Sequence, residues 1–142
     1  MNAVYLDTTV VLRFVFRQPN SLDVRRLGAF AVGSELLRVE CLRIFDRLRL
    51  QSRIGAAEAE IRRAALDALL DAVGEIALSR AILRRAAGPL PGPLGTLNAI
   101  HLASALMFRE LRHQDEVAFA THDRALGAAA SLHGFRVLGL PE

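Results

Sequence analysis

The sequence predicts an α/β fold: an open, mostly parallel sheet flanked by helices on both faces, in one domain over residues 1–142. Three observations carry this. Short runs such as AVYL at 3–6 and VAFA at 117–120 are apolar throughout instead of alternating, as expected of strands covered on both sides. These runs alternate with segments of helical length and periodicity. A chain of 142 residues, 52% of them hydrophobic, can bury a core without disulfides or a structural metal, and its one cysteine, Cys41, cannot form an internal bridge.

The elements follow in order. Ala3–Leu6 reads as a buried strand, Asp7 as a turn, and Thr8–Phe16 as a helix stopped by Pro19. A short linking segment carries Arg25 and Arg26. Ala29–Val32, bounded by Gly28 and Gly33, is a second strand. Ser34 is placed as the N-cap of a helix from Glu35 to about Gln51, with Leu37, Cys41, Ile44, Phe45 and Leu48 on one face. Ala56–Val73 is an amphipathic helix with Ile61, Ala65, Leu69 and Val73 inward, ended by Gly74. Glu75–Leu78 forms a brief strand, and Ser79 caps a helix to about Ala87. The run GPLPGPLG is a stiff loop. Thr96, as N-cap, opens a helix through Met107 whose Ala and Leu content marks it as core. Val117–Ala120 is a strand, Arg124–Leu132 a helix closed by Gly134, and Arg136–Leu138 the last strand.

Composition excludes several functions. All eighteen basic residues are arginine, so a Walker A loop, a Schiff-base lysine and a kinase-type lysine are impossible. The net charge of +3 is a mild excess, not a polybasic tail. Residues 86–108 lack formal charge, but three prolines and three glycines within 86–95 exclude a membrane span. The opening MNAVYLD has no basic leader region, so the expected location is the cytoplasm. The four histidines show no zinc spacing.

Four polar residues stand out by placement. Asp7 and Asp123 follow strands, where open α/β sheets bind ligands. Glu40 sits in the row Leu36, Glu40, Ile44 at the border of an apolar arc, where a carboxylate needs a partner. Asn98 lies in the first turn of the most apolar helix. Each has an ordinary reading too: the aspartates can cap helices, Glu40 can pair with Arg43 or Arg47, and Asn98 can be idle. If the acids converge, a hard cation such as Mg²⁺ is their natural partner. Two other acid-first readings fail. A haloacid-dehalogenase-type phosphatase needs an acid at position 9, which is Thr9, and a response-regulator receiver needs a lysine.

The series VYLDTTVVLR, SELLRVE, LNAIHLASAL and FATHD resembles the PIN-domain family, and more narrowly the VapC-type toxins of bacterial toxin–antitoxin pairs, from about Val4 to Gly139. The resemblance implies an endoribonuclease dependent on Mg²⁺ or Mn²⁺ that cuts tRNA or ribosomal RNA. It also implies a homodimer restrained by a VapB-like antitoxin. The family's acids fall on Asp7, Glu40 and Asp123, with Thr9 and Thr121 as supporting hydroxyls. Its third acid falls on Asn98. Losing that charge should weaken metal binding and water activation, so the expectation is a disarmed or weakened enzyme, by an engineered exchange or by natural loss. The active parent would use these four positions to hold one or two ions and leave 5′-phosphate and 3′-hydroxyl ends. Arg13, Arg17, Arg43 and Arg47, on the helices nearest Asp7 and Glu40, are the candidate RNA contacts. His101 and His122 lack an acid at readable spacing, which makes a metal-free histidine nuclease the weaker enzymatic choice. A non-catalytic module that binds RNA or an antitoxin is the rival from another class.

Overall fold

The structure is a computed structural model that describes residues 2–113 and 116–141. Five parallel strands, β1 (Ala3–Leu6), β2 (Phe30–Ser34), β3 (Gly74–Ile76), β4 (Val117–Ala120) and β5 (Arg136–Leu138), form one sheet in the order β3-β2-β1-β4-β5. β1 is central, with Ala3 opposite Phe30 on one side and Leu6 opposite Ala120 on the other. All four residues of β1 and of β4 are buried, as their unbroken apolar character requires.

Alternation along these strands separates two cores. Val4, Leu6, Ala118 and Ala120 pack against α1 (Thr8–Val15), α2 (Leu36–Leu50) and α3 (Ala56–Ala72). Ala3, Tyr5, Val117 and Phe119 face α5 (Thr96–Leu111) and α6 (Arg124–Leu132), while α4 (Arg80–Ala87) packs on α5 through Ile82, Ile100 and Ala103. Helices therefore cover both faces, as the sequence predicts. No described helix is long and apolar enough to cross a membrane.

Several local expectations need correction. β2 runs on to Ser34, so Glu35, not Ser34, occupies the cap position of α2; the Ser34 hydroxyl still accepts the Leu36 N–H at 3.1 Å. Gly74 does not merely stop α3 but opens β3, because a Cβ there would stand 2.8 Å from the Phe30 ring. Gly95, not Thr96, occupies the cap position of α5, which has no side-chain cap and runs on to Leu111. α3 buries Ala59, Leu66 and Leu70, whereas Ile61 is 61% exposed. That helix carries apolar residues on several sides, and the Arg62 stem, 15% exposed, covers part of the inner face. A 3₁₀ turn at Val24–Arg26, capped by Asp23, lies in the segment left without structure by the sequence reading.

Candidate active site

Asp7 and Asp123 leave adjacent strands β1 and β4 and each caps the helix that follows. Asp7 Oδ1 accepts the Val10 N–H at 3.2 Å, and Asp123 Oδ1 accepts the Leu126 N–H at 2.9 Å. Capping consumes one oxygen of each carboxylate, so the ordinary reading and the site reading hold together. The second oxygens enter one network. Thr121 Oγ1 donates to Asp7 Oδ2 at 2.6 Å and accepts from the Asp123 N–H at 2.9 Å. Thr9 Oγ1 donates to Asp7 Oδ1 at 2.6 Å and accepts from the His122 N–H at 2.9 Å. Asn98, in the first turn of α5, donates through Nδ2 to Asp123 Oδ2 at 3.2 Å. Five of the sequence-selected residues, Asp7, Thr9, Asn98, Thr121 and Asp123, thus meet at the carboxyl ends of β1 and β4.

Glu40 joins from α2. Its Oε2 accepts from Thr8 Oγ1 at 3.1 Å, one residue after Asp7, and its Oε1 lies 2.9 Å from His101 Nε2. The latter contact is an ion-pair approach without hydrogen-bond alignment. On the other side of the ring, Tyr5 Oη and His101 Nδ1 are 2.7 Å apart. The partner of Glu40 is therefore neither Arg43 nor Arg47, and Arg43 pairs with Asp46 instead. His101 does have an acid partner, contrary to the sequence reading. It is buried, so it can orient Glu40 but cannot reach a substrate. Thr8, Tyr5 and His101 escaped sequence reasoning. The only available signal was a histidine within an otherwise apolar helix.

The electrostatics are those of an acid held under strain. Burial pushes the Asp7 carboxyl above its ordinary value, against the opposing hydrogen bonds from Thr121 and Thr9 and the nearby His101. Burial, with the fields of Glu40 and Asp7, pushes the Cys41 thiol up to about 12.

The PIN domain family pattern matches residues 4–132. The chain belongs to the PIN domain family. Within it, this chain is a VapC-type member. It is 32% identical to ribonuclease VapC46 of Mycobacterium tuberculosis, over 97% of this chain and 98% of that protein. It is 27% identical to ribonuclease VapC47 of the same species, over 93% of each. Among solved structures, PAE2754 from Pyrobaculum aerophilum superposes with a TM-score of 0.62 at 16% identity, over 96% of this chain and 84% of that one. VapBC-1 from nontypeable Haemophilus influenzae gives 0.60 at 15%, over 95% and 96%. These two share the fold.

PIN-domain nucleases generally use divalent metal ions. Among the described residues of this PIN domain, no three His, Cys, Asp or Glu side chains stand close enough to hold one. The donor set at the strand ends is two carboxylates and an amide whose nitrogen faces Asp123. It carries one negative charge fewer than the three-acid set that the family resemblance implies, so it should hold a hard divalent ion more weakly. The candidate arginines divide between surfaces. Arg13 lines a groove beside His122, Arg17 lines a separate hollow with Phe14 and Asp23, and Arg43 and Arg47 flank Glu40 beside Val39 and Leu97.

Proposed function

We propose that this chain is the ribonuclease component of a type II toxin–antitoxin pair, carried here in a disarmed or weakened form. Asp7, Glu40 and Asp123 are its acids, Asn98 stands where the family's third acid falls, and Thr9 and Thr121 hold the carboxylates in place. RNA, either tRNA or ribosomal RNA, is the substrate class, a VapB-like antitoxin the partner, a cytoplasmic homodimer the working form, and Mg²⁺ (or Mn²⁺) the ion of the three-acid form. The observation that carries this reading is the hydrogen-bonded chain Asp7–Thr121–Asp123–Asn98, which gathers residues from three separate elements.

The test is Asn98→Asp. The substituted chain is expected to cleave RNA with Mg²⁺ and not with EDTA, and to arrest growth when expressed. Its melting temperature is expected to fall in EDTA and recover with Mg²⁺, whereas the unsubstituted chain responds little. Cleavage that persists without divalent ions, or an Asn98→Asp chain that neither cuts RNA nor responds to Mg²⁺, refutes the reading. A non-catalytic RNA- or antitoxin-binding module is favoured by one observation: the Asn98 amide satisfies Asp123 without any ion. That reading expects Asn98→Asp to remain inert.

A further inference from the structure

Beside the acid network lies an open groove of about 630 Å³, lined among others by Arg13, Asn20, Ser21, His122, Arg124 and Gly139. Its lining neighbours the site along the chain. Thr9, which touches Asp7, and Arg13 are one turn apart on the same face of α1, and His122 and Arg124 flank Asp123 in sequence. The groove therefore opens on the β4–β5 side of Asp7, while Glu40 arrives from the β2 side.

Its charge is not internally balanced. Some arginines elsewhere close on acids, Arg43 and Arg49 on Asp46, Arg38 on Asp67 and Asp71, Arg85 on Glu110, while others such as Arg84 and Arg136 stand apart on the surface. Arg13 and Arg124 form no ion pair among the described residues, and no carboxylate side chain is among the residues lining the groove. Two guanidinium forks sharing one depression, with Asn20 and Ser21 as further donors, make a receptor for an anion with several acceptor oxygens.

The wall is fixed in advance. Gly139 has φ +102°, and a Cβ on it would come 2.4 Å from the Thr121 carbonyl oxygen, so only glycine permits this approach. The Gly139 carbonyl meets His122 Nδ1 at 2.7 Å. A carbonyl only accepts, so Nδ1 carries the proton, and the buried Nε2 has no hydrogen-bond partner among the described residues.

We propose that this groove holds a phosphodiester of the RNA strand next to the one presented to Asp7 and Asp123, and so sets the direction in which the strand crosses the site. This rests on the nuclease reading above. Arg13 and Arg124 grip the phosphate, and the Gly139–His122 wall keeps the grip in register with the acids.

The experiment uses the unsubstituted chain, a short single-stranded RNA and fluorescence anisotropy, with Arg13→Gln/Arg124→Gln against an Arg84→Gln/Arg136→Gln control. Neither groove arginine is ion-paired, so the melting temperature is expected to hold. The groove variant is expected to bind about tenfold more weakly at about 50 mM salt. Its salt slope should be shallower by about 0.7, the value for one phosphate contact on a single strand. The control should match the unsubstituted chain. Undiminished affinity and slope in the groove variant overturn the groove while leaving the nuclease reading intact. Absence of RNA binding by the unsubstituted chain overturns the groove whatever Asn98→Asp does in the cleavage assay. Loss of antitoxin binding with RNA binding intact makes the groove a protein subsite and also overturns the proposal.

Discussion

Replacing Tyr5 by Phe removes one hydroxyl from the chain of contacts Tyr5–His101–Glu40, while the Thr8 hydroxyl still donates to Glu40. The Tyr5 ring is fully buried and stacked on Phe119 with centroids 5.1 Å apart, a contact that Phe preserves. The link to His101 Nδ1 at 2.7 Å is lost, together with the hydroxyl's interaction with Ser104. Nδ1 of the buried imidazole is then left without its partner, which costs about 1–3 kcal/mol. Unfolding entropy of about 2.1 cal/mol/K per residue converts this, for a chain of this length, to a fall in melting temperature of about 3–10 °C. Urea and thermal unfolding followed by circular dichroism measure it. A double-mutant cycle with His101→Leu assigns it, since two residues linked by one hydrogen bond couple by about 1 kcal/mol. A loss below about 0.5 kcal/mol, or additivity within that margin, would refute the claim that Tyr5 holds the imidazole that faces Glu40.

Two further outcomes follow from the buried acids. Asp7 has a folded pKa above its ordinary value of 3.8, so the native state binds the proton more tightly than the unfolded chain. Stability then falls as pH rises from 3.8 through the folded pKa, and ionised Asp7 is a cost at pH 7. Asp7→Asn is expected to raise the melting temperature at neutral pH, with the gain vanishing below 3.8; a gain that persists in acid would mean another cause. With its thiol pushed up to about 12, Cys41 is expected to resist iodoacetamide in the folded protein at mildly alkaline pH and to react at once in denaturant. Rapid labelling of the native chain, read by mass spectrometry, would contradict a sealed α2 interface.

How much of this was legible in the sequence depends on which interactions wrote it there. The segments β1–Asp7–α1 and β4–Asp123–α6 were readable because a strand buried on both faces must be apolar throughout, and an acid after it marks both a cap and a strand end. The all-parallel sheet followed from the alternation of such runs with helices. The pairing of Glu40 with His101 left no local trace. The border position of Glu40 showed that a partner was needed, but nothing in α2 says that it lies on α5, and the nearby arginines were plausible decoys. The inner face of α3 was lost to composition: in an Ala-rich helix several rows look equally apolar, and tertiary packing chose Leu66 and Leu70 over Ile61. Gly74 and Gly95 have roles decided by what stands opposite or follows them, the Phe30 ring in one case and an uncapped helix start in the other. The roles of Arg13 and Arg124 depend on which acids fold away from them.

The geometry at Asn98 explains why one amide changes the character of the whole site. Asp7 is already held above its ordinary pKa by burial, and Asp123 lies one threonine away from it. A third carboxylate at position 98, facing Asp123 Oδ2 in place of the amide, would bring two anions together with no donor between them, an arrangement that needs a cation or a captured proton. Nδ2 of Asn98 supplies instead a neutral donor at 3.2 Å, so the fold closes over the acids with no ion present. On the proposed reading, the neutral donor at position 98 lets the acids pack without an ion and at the same time removes the third anionic ligand. The exchange leaves untouched whatever lies outside that contact, including the capped aspartates, the Glu40–His101–Tyr5 chain and the unpaired arginines of the groove. On the proposed reading, such a chain keeps the means to recognise its ligands while lacking a charge needed to act on them.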